Sequence, residues 1–166
     1  MPRDIMADRH PPTSPDRRSP SDLTTKTTRA QAAERLQVAA LAWRRGPGGV
    51  EILLVTSRET RRWVTPKGGR MTGKTDAEAA ALEALEEAGI EGVVGNQPLG
   101  TFRYLKVLKR RAPRWCVVAL YGLEVRVEHP TWHEQGERER VWVSRDEAVR
   151  RVDEPDLKAL IAAFEG

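Results

Sequence analysis

The amino-acid sequence predicts a single α/β domain. Apolar runs of strand length recur along the chain, one long internal segment has the grammar of a helix, and two further helical patterns close it. With 166 residues, 39% hydrophobic and 31% charged, the chain is long enough to bury one core without staples. No internal repeat or second domain is visible, and the ordered domain is expected over residues 31–166.

The N-terminal stretch "MPRDIMADRHPPTSPDRRSPSD" lacks the apolar segment of a secretory signal and is too polar to order itself. Residues 1–30 are therefore expected to form a flexible tail. Asp4, Asp8, Asp16 and Asp22 interleave with its arginines and dilute the positive field that a nucleic-acid arm would need. No apolar run approaches the roughly 20 residues that span a bilayer, so no membrane partner is expected. Cys116 is the sole cysteine, which excludes an intramolecular disulfide and a cysteine-built zinc site and fits a cytoplasmic protein. Its apolar setting in "WCVVALYGL" marks it as a core residue rather than a nucleophile.

In chain order, "LQVAALAW" (36–43) and "VEILLVTS" (50–57) read as two strands joined by a Gly/Pro turn. "RWVTP" is a short strand stopped by Pro66, followed by a glycine loop. "TDAEAAALEALEEAG" opens on a capping box, Thr75 with Glu78, and stops at Gly89. On that helix Ala77, Ala81, Ala84, Leu85 and Ala88 share one face, and Glu83, Glu86 and Glu87 cluster opposite. "LGTFRYLKVL", "PRWCVVALYGLEV" and "RVWVS" are further strands, and "RDEAVRRV" and "DLKALIAAF" are helical in pattern.

"GGRMTGKT" (68–75) satisfies G-x-x-x-x-G-K-[ST], the pattern of a triphosphatase phosphate loop. Its context does not fit. Pro66 and Lys67 break the preceding strand, the later strands follow one another without helices between them, and no apolar run ends in the Asp that would hold magnesium. Three carboxylates spaced three and four residues apart on the following helix instead crowd like charges together, and a divalent cation converts that repulsion into binding. Hard oxygen ligands select magnesium or manganese. Such an ion polarises a pyrophosphate and activates water.

"GGRMTGKTDAEAAALEALEEAGI" (68–90) resembles the Nudix box: Gly68, Glu83, Ala84, Glu86, Glu87, Gly89 and Ile90 fall on its positions, and "WVTPKGG" is similar to the approach to that box. The resemblance implies an α/β/α sandwich with a mixed, curved sheet. It also implies a pyrophosphohydrolase using Mg2+ or Mn2+, with Glu83, Glu86 and Glu87 as metal-bearing and catalytic residues. The family also uses a glutamate outside the box, for which Glu134 is the candidate. Lys74 stands where the box has its first Glu, and Leu82 where it has an Arg whose implied role is to orient the glutamates. Those two departures point to a slow enzyme.

Arg103, Lys106, Lys109, Arg110, Arg111 and Arg114 form a basic run without an acidic residue from Thr101 to Leu123. With Arg61, Arg62 and Lys67 near the glycine loop, they suit a polyanion. The candidate substrate-binding set is Arg61, Arg62, Lys67, Gly68, Gly69, Arg103, Lys109 and Arg111. "RRWVTPKGG" and the basic hairpin resemble the branch of the family that acts on diphosphoinositol polyphosphates and diadenosine polyphosphates. A second reading stays open, in which Leu82 and Lys74 leave a domain that binds a polyphosphate or RNA without cleaving it. Trp63 and Trp142 read as core, and His133 as an exposed loop residue.

Overall fold

Strands β1 (Arg35–Gly46) and β2 (Gly49–Thr56) open the domain as a hairpin in which Gly46 faces Gly49. Pro47 and Gly48 make the two-residue turn, and Gly49 takes a φ of 113° that a glycine tolerates. In this computed structural model the described residues are 34–108 and 111–166. The expected tail and Lys109 lie outside them, as does the side chain of Arg111.

The chain continues through β3 (Trp63–Val64), β4 (Lys67–Gly69), α1 (Asp76–Ala88), β5 (Ile90–Val94), β6 (Gly100–Leu108) and β7 (Arg111–Glu128). It closes with β8 (Arg140–Ser144), α2 (Arg145–Arg151) and α3 (Pro155–Ala162). All the strands join one mixed sheet. β1 lies beside β7 in parallel, Arg35 next to Cys116 and Trp43 next to Glu124, while the other pairings are antiparallel.

The interior strand β1 is buried on both faces, and its alternation sorts the core into two layers. Val38, Ala40 and Ala42 pack with Leu53, Val55, Tyr121 and the alanines of α1. Ala39 and Leu41 pack on the opposite side with Ile52, Leu54, Phe102, Val118, Leu120 and the α2/α3 residues Ala148, Leu157 and Ile161. The α/β/α sandwich is thus present, with helices on both faces of the sheet. Cys116 is buried in the second layer as a free thiol, and Trp63 and Trp142 pack half-buried against the two layers.

Two short strands differ from the sequence reading. The glycine stretch after Pro66 is not all loop: Lys67–Gly69 pairs with β1, Gly68 opposite Val38, and Ala40 N–H donates to the Pro66 carbonyl at 3.0 Å. Ile90–Val94 pairs with β7 across an irregularity at Glu91/Gly92, where a Cβ on Gly92 would lie 1.9 Å from the Glu124 carbonyl oxygen. Neither segment carries a clear two-residue alternation of apolar side chains, which is why pattern alone did not mark them.

Candidate active site

Helix α1 carries the acidic residues and is held differently at its two ends. At the N-terminus the Thr75 hydroxyl accepts from Glu78 N–H at 3.2 Å, and the Glu78 carboxylate accepts from Thr75 N–H at 2.8 Å, the reciprocal pair read from sequence. That hydrogen bonding holds the Glu78 carboxyl below the usual range. At the C-terminus Gly89 adopts φ 63°, ψ 38°, and the last turn holds no basic residue. Donors arrive instead from residues 129–140. Glu134 N–H reaches the Glu86 carbonyl at 3.1 Å and the Trp132 indole reaches that of Glu87 at 3.1 Å. Arg140 reaches that of Ala88 at 2.6 Å, and His129 N–H that of Gly89 at 2.8 Å. Four carbonyls that a helix end leaves without partners are thereby satisfied.

The three box glutamates have different environments. Glu87 is only 6% exposed. One of its oxygens accepts from Lys67 N–H at 3.0 Å and the other from Arg138 Nη2. Burial raises its carboxyl pKa, against the opposing pull of Lys67 and Arg138. Glu83 is half-buried and lies against Gly68 so closely that a Cβ there would fall 1.8 Å from Oε1. Only a glycine can cross the carboxylate at that distance. Burial first, then the charges of Glu87, Glu86 and Glu134, push the Glu83 carboxyl up to about 7. Glu86 is exposed. Glu134 comes beside them, as the sequence suggested, but both its oxygens are engaged, by Arg138 Nε at 2.5 Å and by Arg58 Nη1 at 3.5 Å.

Glu83, Glu87 and Glu134 line one cavity of about 800 Å³, whereas Glu86 is not among its lining residues. Lys67, Gly68, Glu83, Glu87, Glu134 and Arg138 form one wall, and Arg35, Arg58, Arg103, Lys106 and Trp115 also face it. Burial lowers the Lys67 ammonium to about 8, although Glu87 pulls it upward, and the ammonium lies 5.3 Å from the Tyr104 ring centroid. Gly69 lines the cavity as well. Arg103 lies over the Trp115 ring and pairs with Glu34. Besides Arg103, two more of the expected phosphate-binding residues have other engagements. Arg61 donates to the Glu137 carbonyl at 2.8 Å, pairs with Glu139, and is not among the cavity residues. Arg62 lines the cavity but pairs with Asp153 and Glu154, each at 3.0 Å.

Sequence reasoning missed Arg138, Arg58 and Glu154. Arg138 sits in "GERERV", which looks like any solvated charged turn, and only the fold carries it into the interior at 8% exposure. Glu154 is equally buried at 7%, with Oε2 lacking a hydrogen-bond partner.

A glycine strand laid across an acidic helix, on the wall of a cavity that mixes arginine and lysine with carboxylates, is the site this α/β domain builds. The sequence model of the NUDIX domain matches residues 35–164. The chain belongs to the Nudix family. It is 34% identical over 119 residues to Nudix hydrolase 16, mitochondrial, of Arabidopsis thaliana, covering 69% of this chain and 66% of that one. It is 31% identical over 103 residues to diphosphoinositol polyphosphate phosphohydrolase 3-beta of Homo sapiens, covering 60% and 58%. Matches of this kind span about half to two thirds of the relatives' own length. The fold is similar to that of a C. elegans Ap4A hydrolase binary complex, with TM-score 0.57, 21% identity, and coverage of 77% of this chain and 93% of that one.

Proposed function

We propose that the domain hydrolyses a phosphoanhydride bond in a highly phosphorylated small molecule, of the diphosphoinositol polyphosphate or dinucleoside polyphosphate kind, with Mg2+ or Mn2+ as cofactor. The observation that carries this reading is Glu83. Among the described residues its carboxylate has no hydrogen-bond or ion-pair partner, and it is crowded by acidic neighbours on the wall of a cavity that also holds Lys67, Arg58, Arg103 and Lys106. A cation relieves that crowding, and carboxylate oxygens suit a hard divalent ion.

The residues fit such an ion as a donor set rather than as a finished cage. Among the described residues no three His, Cys, Asp or Glu side chains stand together closely enough to enclose a metal. Glu87 is already held by Arg138 and by the Lys67 amide, whereas the carboxylates of Glu83 and Glu86 have no hydrogen-bonded or ion-paired partner among the described residues. Glu83, Glu86 and Glu87 are the residues that would hold the ion. When bound, it polarises the pyrophosphate and helps ionise water. Lys67, Arg58, Arg103 and Lys106 neutralise phosphate charge, and a desolvated ammonium such as Lys67 binds an anion more strongly than an exposed one. Glu134, whose two oxygens are oriented by Arg138 and Arg58, is the glutamate outside the helix that would take the proton from water. The 31% likeness to the human diphosphoinositol polyphosphate phosphohydrolase supports a substrate with several linked phosphates.

The test is product release from diphosphoinositol polyphosphate, diadenosine polyphosphates, nucleoside triphosphates and ADP-ribose, with and without Mg2+, using Glu83→Gln as control. Metal-dependent cleavage lost in the control is the expected result. Tight binding of the same compounds with no turnover would instead make this a binding domain on a hydrolase fold.

A further inference from the structure

We propose that Arg138 is the positioning residue for Glu87, supplying from outside the acidic helix the guanidinium that Leu82 cannot supply from within it. The inference rests on the reading of Glu87 as part of the acid site.

Leu82 has no charge with which to aim a carboxylate. Arg138 is buried, and each of its three guanidinium nitrogens is committed to a different element. Nη1 donates to the Thr56 carbonyl at the end of β2 at 2.9 Å, Nε to Glu134 at 2.5 Å, and Nη2 to Glu87 on α1. A planar fork held at three points has a fixed orientation, which a single ammonium cannot reproduce. Its anchors are themselves fixed. Thr56 N–H donates to the Glu139 carbonyl and Glu139 N–H to the Thr56 hydroxyl, both at 2.9 Å, and Glu134 N–H is tied to the Glu86 carbonyl at 3.1 Å. The Lys67 amide holds the second Glu87 oxygen at 3.0 Å. The carboxylate is therefore clamped on both oxygens, by β4 on one side and by the 129–140 segment on the other.

An arginine that merely neutralised a buried charge would look similar, so the test separates aim from charge. Arg138→Lys, Arg138→Gln, Glu87→Gln and the double variant Arg138→Gln/Glu87→Gln are made in the full chain. Folded fraction is followed by circular dichroism, Mn2+ affinity by calorimetry, and kcat and KM on whichever compound of that panel the parent chain cleaves. Both Arg138 single variants are expected to lose about a hundredfold in kcat with KM changed only a few-fold. Adding Arg138→Gln to Glu87→Gln is expected to cost no further activity and no further Mn2+ affinity, because the arginine acts through the glutamate. The double variant removes both members of the buried Arg138–Glu87 pair, so it remains foldable if Arg138→Gln alone, which leaves Glu87 without its guanidinium, is not. Additive losses in either cycle, or full kcat in Arg138→Lys, would overturn the proposal. If the parent chain cleaves nothing, the hydrolase reading fails while the Mn2+ cycle still decides this one.

Discussion

The two ends of helix α1 solve the same problem by opposite means. The N-terminus is held by nearby residues, the reciprocal pair Thr75 and Glu78 and an ion pair from Arg70 to Asp76. The C-terminus takes its partners from His129, Trp132, Glu134 and Arg140, some forty to fifty residues later in the chain, and the same segment brings in Arg138. The end that carries Glu83, Glu86 and Glu87 is thus the end that depends on tertiary structure. A local cap can only start a helix, whereas a segment arriving from elsewhere also fixes where its side chains point.

The contrast can be broken most severely at Arg138. Arg138→Met leaves Glu87 buried beside an apolar side chain, and urea denaturation is expected to show a loss of about 3–5 kcal/mol. Gly89→Ala comes next, since it combines a φ of 63° with a Cβ placed 2.7 Å from that of Trp132. About 2–4 kcal/mol is expected from strain and overpacking, measurable in the same way. Thr75→Ala removes only the local cap and is expected to cost about 1 kcal/mol without changing Mn2+ affinity. An equally large effect of Thr75→Ala on the metal site would erase the distinction between the two ends.

The smallest effect concerns Glu83, whose position on the cavity wall exposes it to solvent screening. Its folded-state carboxyl is raised to about 7, so the folded state binds the proton more tightly than the unfolded chain does. The stability this contributes is full below the ordinary glutamate range and is lost as pH rises through about 7. Thermal melts of chelator-treated protein are therefore expected to fall between pH 5 and pH 8, by reference to carboxylate titration. Added Mn2+ should raise Tm more at the higher pH.

What could be read from the sequence follows the same division. The β1–β2 hairpin, the capped start of α1, its Gly89 stop and the closing helices are all written in neighbouring residues, and each forms where the pattern placed it. The short strands Lys67–Gly69 and Ile90–Val94 exist because longer strands recruit them, so their own residues carry little signal. At the site, spacing brought Glu83, Glu86 and Glu87 onto one helix but could not distinguish their environments. Glu87 is buried and clamped, Glu86 is exposed, and Glu83 faces the cavity. Nor could it show that Arg61 pairs with Glu139 and Arg62 with Asp153 and Glu154, or that Arg58, itself paired with Glu134 and Glu137, lines the cavity. The fold decides which partner a charge counted in sequence meets.

The parallel pairing of β1 with β7 has a consequence for how the domain comes into being. A nascent chain can close the β1–β2 hairpin early, but the other long edge of β1 finds its partner only when Cys116 to Glu124 has been synthesised. Until then an apolar central strand is exposed along one side, the condition that invites pairing with another chain. Such distant pairing also slows folding, because a large loop must close before any contact rewards it. A chain cut short before β7 would therefore be expected to aggregate rather than to fold into a smaller version of the domain.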